Sequence, residues 1–233
     1  MARSIESFLP YLQAAPDDSF ERRARSNGAL IVAGVDEAGR GPLAGPVVVA
    51  AVCFAGRRFP RGLNDSKKLS QAQREDLFEK ILASGMVAVA VASARRIDEM
   101  NILRASLWAM SRAVAALALP PDHVLVDGRD IPDGLLCPAE ALIGGDGRSV
   151  SIAAASIVAK VTRDRMMDRL GAAFPAYGFE RHKGYPTRAH FLALEQYGAS
   201  IHHRRSFAPV SRRIEQGSIE KGPDGSASAV FQD

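Results

Sequence analysis

The chain has 233 residues, 47% of them hydrophobic, with a formal net charge of +4 and a pI near 9.3. That length and apolar content suit one large globular domain or two small ones, and the mild basicity permits a polyanionic partner without demanding one. Two cysteines, Cys53 and Cys137, argue against a disulfide framework. The longest apolar run, 44–55, contains Pro46 and is too short for a bilayer, and the N-terminus lacks the pattern of a secretory signal, so a cytoplasmic location with no membrane association is expected.

Residues 1–28 mix proline, charge and the cluster "ERRARS" and read as an extension with room for a short helix. "LIVAGVD" (30–36) and "PVVVAAVCF" (46–54) read as strands whose continuous apolar character implies cover on both faces. "LSQAQREDLFEKILAS" (69–84) predicts a helix with Ser70 as N-cap and Gly85 just past its end, and "MVAVAVASA" (86–94) predicts a third strand. Leu103, Leu107, Met110, Val114 and Leu117 form one apolar stripe, predicting a single helix over 98–119. "HVLVD" (123–127) and "EALIGGD" (140–146) predict two more strands, and 151–170 and 187–198 two more helices. This interleaving predicts an α/β sheet with helices on both faces over residues 29–213. The first strands, joined by short links, should be antiparallel. The later ones, each separated by a helix, should be parallel. Residues 214–233, rich in Gly and Ser, read as a disordered tail.

Three of the five expected strands run into an aspartate beside glycine: Asp36, Asp127 and Asp146. Ligands of open α/β sheets gather at the carboxyl ends of strands, so these acids can share one edge, with Glu37 as a fourth. Taken singly each is equally a turn residue, because Asp-Gly is a common turn signal. Four convergent carboxylates repel one another unless a cation intervenes, and an oxygen-only donor set selects Mg2+ or Mn2+ rather than zinc. Adjacent strand residues point to opposite faces. Asp36 and Glu37 therefore meet at one site only if the strand breaks between them or one of them uses its backbone carbonyl.

From Lys160 to Arg213 there are eleven Lys/Arg against four Asp/Glu, so the remainder of the chain is net negative. "RHKGYP" and "IHHRRSF" interleave cations with aromatics, as nucleic-acid grooves do. "NDSKKLS" sets Lys67 and Lys68 ahead of a helix N-terminus, where phosphate is favoured. An acidic metal centre beside a basic surface suits phosphodiester hydrolysis by paired cations about 3.5–4 Å apart.

Seven segments in order, "GVDEAGRGPLAGPVVVAAV", "LNDSKKLS", "IDEMNILRASLWAM", "VLVDG", "AAASIVAKVTRD", "YGFERHKGYPT" and "HHRRSF", resemble the ribonuclease HII family. The resemblance implies a ribonuclease H-like fold, a mixed five-stranded sheet with a helical C-terminal part. It implies hydrolysis of the RNA strand of RNA/DNA hybrids and incision 5′ of single ribonucleotides in duplex DNA, leaving 3′-hydroxyl and 5′-phosphate ends. The family's acids map onto Asp36, Glu37, Asp127 and Asp146, with Asp164 a rival for the fourth place. Its ribose-sensing turn maps onto Gly39, Arg40 and Gly41, where glycine lets the main chain approach a sugar and the 2′-hydroxyl distinguishes RNA. Tyr185 matches the tyrosine that packs on the following deoxyribose, and Ser66, Lys67, Lys68, Ser156 and Lys160 fall at positions near phosphates. The related ribonuclease HIII carries a large N-terminal domain and usually a glutamate as fourth acid; a short N-terminal segment and Asp146 favour HII. The family acts as a monomer, and the tail shows no convincing sliding-clamp motif. Two rival readings are another two-metal nuclease of this superfold, such as a junction resolvase, and a non-catalytic hybrid binder whose acids are turns.

Overall fold

The computed structural model describes residues 15–56 and 58–220. Five strands form one sheet: β1 (Val32–Ala38), β2 (Val47–Phe54), β3 (Gly85–Ala92), β4 (His123–Asp127) and β5 (Ala139–Leu142). Their order is β3-β2-β1-β4-β5, with β1 central. β2 runs antiparallel to both β1 and β3, while β4 is parallel to both β1 and β5, in the directions expected from connection length. The separator between β4 and β5 corrects one expectation. No helix lies between them; residues 128–138 cross over as an irregular segment broken by Pro132 and Gly134.

Alternation within β1 and β2 sorts the core into two layers. Ala33, Val35, Val47, Val49 and Ala51 face one side, where they meet α3 (Ala94–Met100) and α4 (Ile102–Ala115). Ala50, Val52 and Phe54 face the other, against α2 (Gln71–Ser84) and α5 (Val150–Ala173). Every residue of β2 is buried, which accounts for its unbroken apolar sequence. α2 starts with a reciprocal capping box, Ser70 with Gln73. The single helix expected over 98–119 is instead two, and begins at Ala94. Asn101 adopts a left-handed φ of 67° and its side chain accepts from the Arg104 amide at 3.0 Å, so it ends α3 and caps α4.

α5 crosses the middle of the sheet and is buried on nearly all sides along its first half. Its approach is set by small residues: Ala153, Ala154 and Ala155 on the helix and Gly34 on β1. A Cβ on Gly34 would lie 2.2 Å from the Ser151 carbonyl carbon and 2.3 Å from the Ile152 nitrogen. The extension read over 1–28 contributes α1 (Ser19–Ser26). Buried Glu21 on it accepts from the Ser149 hydroxyl (2.6 Å), the Ser151 hydroxyl (2.6 Å) and the Ser151 amide (3.0 Å), capping α5 from a separate helix. Residues 1–14 lie outside the described part.

The C-terminal part comprises α6 (Phe179–His182), α7 (Arg188–Tyr197) and α8 (Ala208–Glu220). α8 carries the chain helically to 220, into the stretch expected to be tail; 221–233 lie outside the described residues. The buried pair His190 and His203 joins α7 to the loop that follows it. Ser200 donates its amide to His203 Nδ1 at 3.0 Å, so the His203 proton sits on Nε2 and is donated to His190 Nε2, 3.0 Å away. His190 Nδ1–H then donates to the Tyr185 carbonyl at 3.0 Å. Among the described residues no helix is long and apolar enough to cross a membrane.

Two outcomes are expected. Gly34→Ala forces a methyl into the α5 main chain, which has no rotamer to relax into, and should destabilise by about 1–3 kcal/mol or more; the midpoint of urea unfolding reads this directly. The histidine pair gives an acid limit. Burial first, then neighbouring imidazoles, lowers His203 to about 3, and burial likewise lowers His190 to about 4. The folded pair therefore stays neutral while the unfolded imidazoles take protons near pH 6.5, and stability is lost as pH falls from about 6.5 toward 4. An NMR titration of the two imidazoles reads their neutrality directly: neither should protonate between about pH 7.5 and pH 5, whereas a transition near about pH 6.5 would mean that the pair titrates normally in the fold.

Candidate active site

Hydrogen bonding along β1 differs on its two edges, and the site sits where it differs. Toward β2 the pairing continues through Ala38, opposite Val48. Toward β4 it stops at Val35, opposite Val126. Beyond that point β1 and β4 leave a notch, entered by Asp36 and Glu37 from one side and by Asp127, the last residue of β4, from the other. The strand thus does not end between Asp36 and Glu37. Asp36, only 4% exposed, curls back so that its Oδ1 accepts from the Glu37 amide at 2.7 Å. Glu37 is held 3.6 Å from Arg40, one turn further on. Asp127 is a charge neighbour of both.

Asp146 arrives by a different route from the one its sequence predicted. β5 ends at Leu142, four residues earlier, and Gly144 at φ 63° turns the chain into a short 3-10 segment, Gly145–Gly147. Gly145 donates its amide to Asp127 Oδ1 at 2.7 Å, which ties this turn to the end of β4. A Cβ on Gly145 would fall 2.6 Å from the Ile152 side chain, so the turn lies flat on α5.

The electrostatics describe a crowded acidic edge. Burial, then the charges of Glu37 and Asp127, push Asp36 well above the usual carboxylate range. Burial raises Glu37 against the opposing pull of Arg40. Burial raises Asp127 despite main-chain amides that favour its charge, and burial, then Asp127 and Asp65, raise Asp146. Asp65 is an acid that the sequence reading passed over, absorbed in a motif valued for its lysines. Its carboxylate accepts from the Lys67 amide at 2.9 Å and so shapes the turn Ser66–Lys68 beside Asp146. Lys67, largely exposed, reaches to 3.6 Å from Asp146. Burial works against its charge, but Asp146, Asp65, Asp36 and Asp127 together outweigh that and raise its pKa.

These acids fit a hard divalent cation by their oxygen-only donors and by a surplus of negative charge that Lys67 and Arg40 leave uncompensated. They are grouped without being closed on one point: among the described residues, no three His, Cys, Asp or Glu side chains are placed to enclose an ion. Asp164, the rival fourth acid, is paired with Lys160 at 2.7 Å on α5 and is absent from the charge neighbours of Asp36.

The other expected residues divide. Gly39 has φ 97°, and a Cβ there would lie 2.0 Å from Arg163 Nε, so glycine is required on both counts. Gly41 faces Tyr185, whose Cε1 would be 3.9 Å from an added Cβ, and Tyr185 is 43% exposed. Turn and tyrosine therefore form one surface beside the acids. Lys68 is exposed at the end of the Ser66–Lys68 turn. Ser66 and Ser156 are buried and share a hydrogen bond of 2.8 Å between their hydroxyls. That bond fixes the Lys67 turn to α5.

Comparison with known proteins accounts for this arrangement. The profile of the family described as Ribonuclease HII matches residues 33–210. A ribonuclease HII of Rhizobium johnstonii is 56% identical over 202 residues, covering 87% of this chain and 88% of that protein. One from Bradyrhizobium sp. strain ORS 278 is 60% identical over 205 residues, covering 87% of this chain and 74% of that protein. The crystal structure of ribonuclease H2 from Pyrococcus horikoshii OT3 superposes with a TM-score of 0.69 at 31% identity, covering 80% of this chain and 98% of that one. The RNase HII of a PCNA complex from Archaeoglobus fulgidus gives 0.66 at 30% identity, covering 76% and 95%. The mixed sheet is the ribonuclease H-like fold, and the chain belongs to the ribonuclease HII family of hydrolytic nucleases.

Proposed function

We propose that this protein hydrolyses the RNA strand of RNA/DNA hybrids and incises 5′ of single ribonucleotides in duplex DNA, leaving 3′-hydroxyl and 5′-phosphate ends. The observation that carries the reading is an adjacency on one stretch of chain. Asp36 and Glu37 enter the acidic notch, and Gly39 to Gly41, three residues on, form a turn against Tyr185. A scissile phosphate at the notch leaves its own sugar next to that turn.

Asp36, Glu37, Asp127 and Asp146 would hold Mg2+ or Mn2+; when bound, these cations activate water and stabilise charge on the leaving oxygen. The Gly39–Gly41 main chain meets the ribose and its 2′-hydroxyl, and Arg40, exposed at the turn's apex, is free to bond a phosphate once it releases Glu37. Tyr185 offers its ring to the neighbouring deoxyribose. Lys67 and Lys68 receive the backbone on the far side of the acids, and Lys160 contributes charge from α5. The protein acts as a monomer in the cytoplasm on this reading, with the basic C-terminal part providing the salt-dependent hold on the duplex.

The test is a duplex DNA with one embedded ribonucleotide beside an all-DNA control, each with Mg2+, Mn2+ or chelator. Cleavage of the first only, and only with metal, is expected. Cleavage of both would favour another nuclease of this fold, such as a junction resolvase; cleavage of neither would favour a hybrid-binding protein. Asp127→Asn should lower turnover at least about 100-fold, since loss of even an outer partner of a metal costs 10–100-fold, with substrate binding largely kept. A variant that retains wild-type turnover would remove Asp127 from the site. Mn2+ should also raise the melting temperature of the wild-type protein by binding the native state, and Asp36→Asn should blunt that rise.

A further inference from the structure

Two guanidinium groups lie buried behind the Gly39–Gly41 turn, on helix α5 and on the segment before α8. The first, Arg163, donates to the carbonyls of Pro46 (Nε, 3.0 Å) and Ala44 (Nη2, 3.3 Å). The second, Arg204, has 0% exposure and spreads its fork over three carbonyls of one loop: Gly45 (Nε, 3.0 Å), Arg40 (Nη1, 2.8 Å) and Gly39 (Nη2, 2.5 Å). Among the described residues, the hydrogen bonds of both go to main-chain oxygens. Burial and the nearby Arg163 charge both work against a charged Arg204, so an arginine kept here needs a purpose that an apolar residue would not serve.

We propose that Arg204 is a positioning residue for the ribose-sensing turn: its guanidinium fixes the Gly39 and Arg40 carbonyls and so aims the Arg40 and Gly41 amides, opposite them in the same peptide planes, at the 2′-hydroxyl. The inference rests on reading Gly39–Gly41 as that turn. The geometry of the arm that carries Arg204 supports it. Arg204 donates its own amide to the Leu43 carbonyl at 2.8 Å, and Gly45 donates to the His202 carbonyl at 2.9 Å, so the arm lies alongside the loop it grips. Next to it, His203 is tied through His190 to the Tyr185 carbonyl, which sets turn and tyrosine from the same anchor. On the outer side the carboxylate of Asp98 accepts from the amides of Arg205 (3.0 Å) and Ser206 (2.9 Å) and from the Ser206 hydroxyl (2.6 Å). The arm is thus held at both ends and Arg204 has one direction in which to reach. Lysine offers one ammonium in place of the planar fork and cannot reproduce the spread over three carbonyls.

The experiment compares wild type, Arg204→Lys and Asp98→Ala at saturating Mn2+, with circular dichroism confirming that each is folded at the assay temperature. The substrate is duplex DNA with one ribonucleotide; affinity for an all-DNA duplex is measured in parallel. Arg204→Lys should lower kcat/KM on the ribonucleotide duplex about 100-fold, the cost of misplacing a recognition element by roughly 1 Å, with all-DNA affinity unchanged. Asp98→Ala, a half-buried change on α3 that loosens the arm and removes a charge favourable to Arg204, should show the same selective loss at several-fold, and it decides the matter if Arg204→Lys does not fold. A folded Arg204→Lys with wild-type kcat/KM, or a loss matched in all-DNA affinity, would overturn the inference. So would an unaltered Asp98→Ala in the absence of a folded lysine variant. If wild type itself cleaves the all-DNA duplex as readily, the reading of the turn fails, and the inference with it; wild-type selectivity combined with an unaffected variant rejects the inference alone.

Discussion

A buried carboxylate whose nearest charges are three more carboxylates is an arrangement that no folding free energy favours by itself. Asp36 is in that position, at the end of the central strand, with burial and the charges of Glu37 and Asp127 all opposing its ionisation. The surrounding structure holds it there from three directions. β2 pairs β1 through Ala38, so the strand cannot swing away on that side. α5 rests directly on Gly34, two residues earlier on the same face, and pins the strand from that side. The Gly145 amide binds Asp127 and brings the last acid in on its turn. Stability taken from two apolar layers is thereby spent on a charge cluster whose natural relief is a divalent cation, the pattern expected where function and stability compete.

The same economy of position explains the turn that follows. Because β1 is paired on one edge and open on the other beyond Val35, its last residues lie in the sheet and beside the acidic notch together. The chain then passes over Arg163 at Gly39 with no room for a Cβ, and is gripped from behind by Arg204. Acids and turn are therefore held on one framework. On the proposed reading, a substrate whose sugar met the turn would have its phosphate at the acids, which would couple recognition to chemistry by distance.

Much of this was legible in the order of residues. The strand directions followed from connection lengths, the two-sided burial of β2 from its unbroken apolar run, and the acidic set from aspartates beside glycine at strand termini. Ser70 capped α2 as its sequence indicates. The failures have local causes. Asn101 carries no apolar signal, yet its side chain and left-handed backbone cut one helical stripe into two. "EALIGGD" was too apolar to reveal that the strand would stop at Leu142, four residues before its aspartate, and turn at Gly144. Glu21 lies in a charged stretch with no pattern of its own, and only the folding back of α1 brings it to the serines that open α5.

What the chain determines alone is periodicity and residue type: which stretches bury two faces, where strands stop, and that oxygen donors outnumber cations at those stops. Those are properties of neighbours in sequence, and local sterics and hydrophobic patterning settle them. What only the tertiary structure decides is convergence between distant segments. The one-sided end of β1 pairing lets consecutive acids share a notch, which no strand rule permits in isolation. Ser66 and Ser156, ninety residues apart, turn to each other rather than outward. Arg204 lies far along the chain from the turn that it holds, and its fork bonds main-chain carbonyls, which every residue carries and no sequence motif advertises.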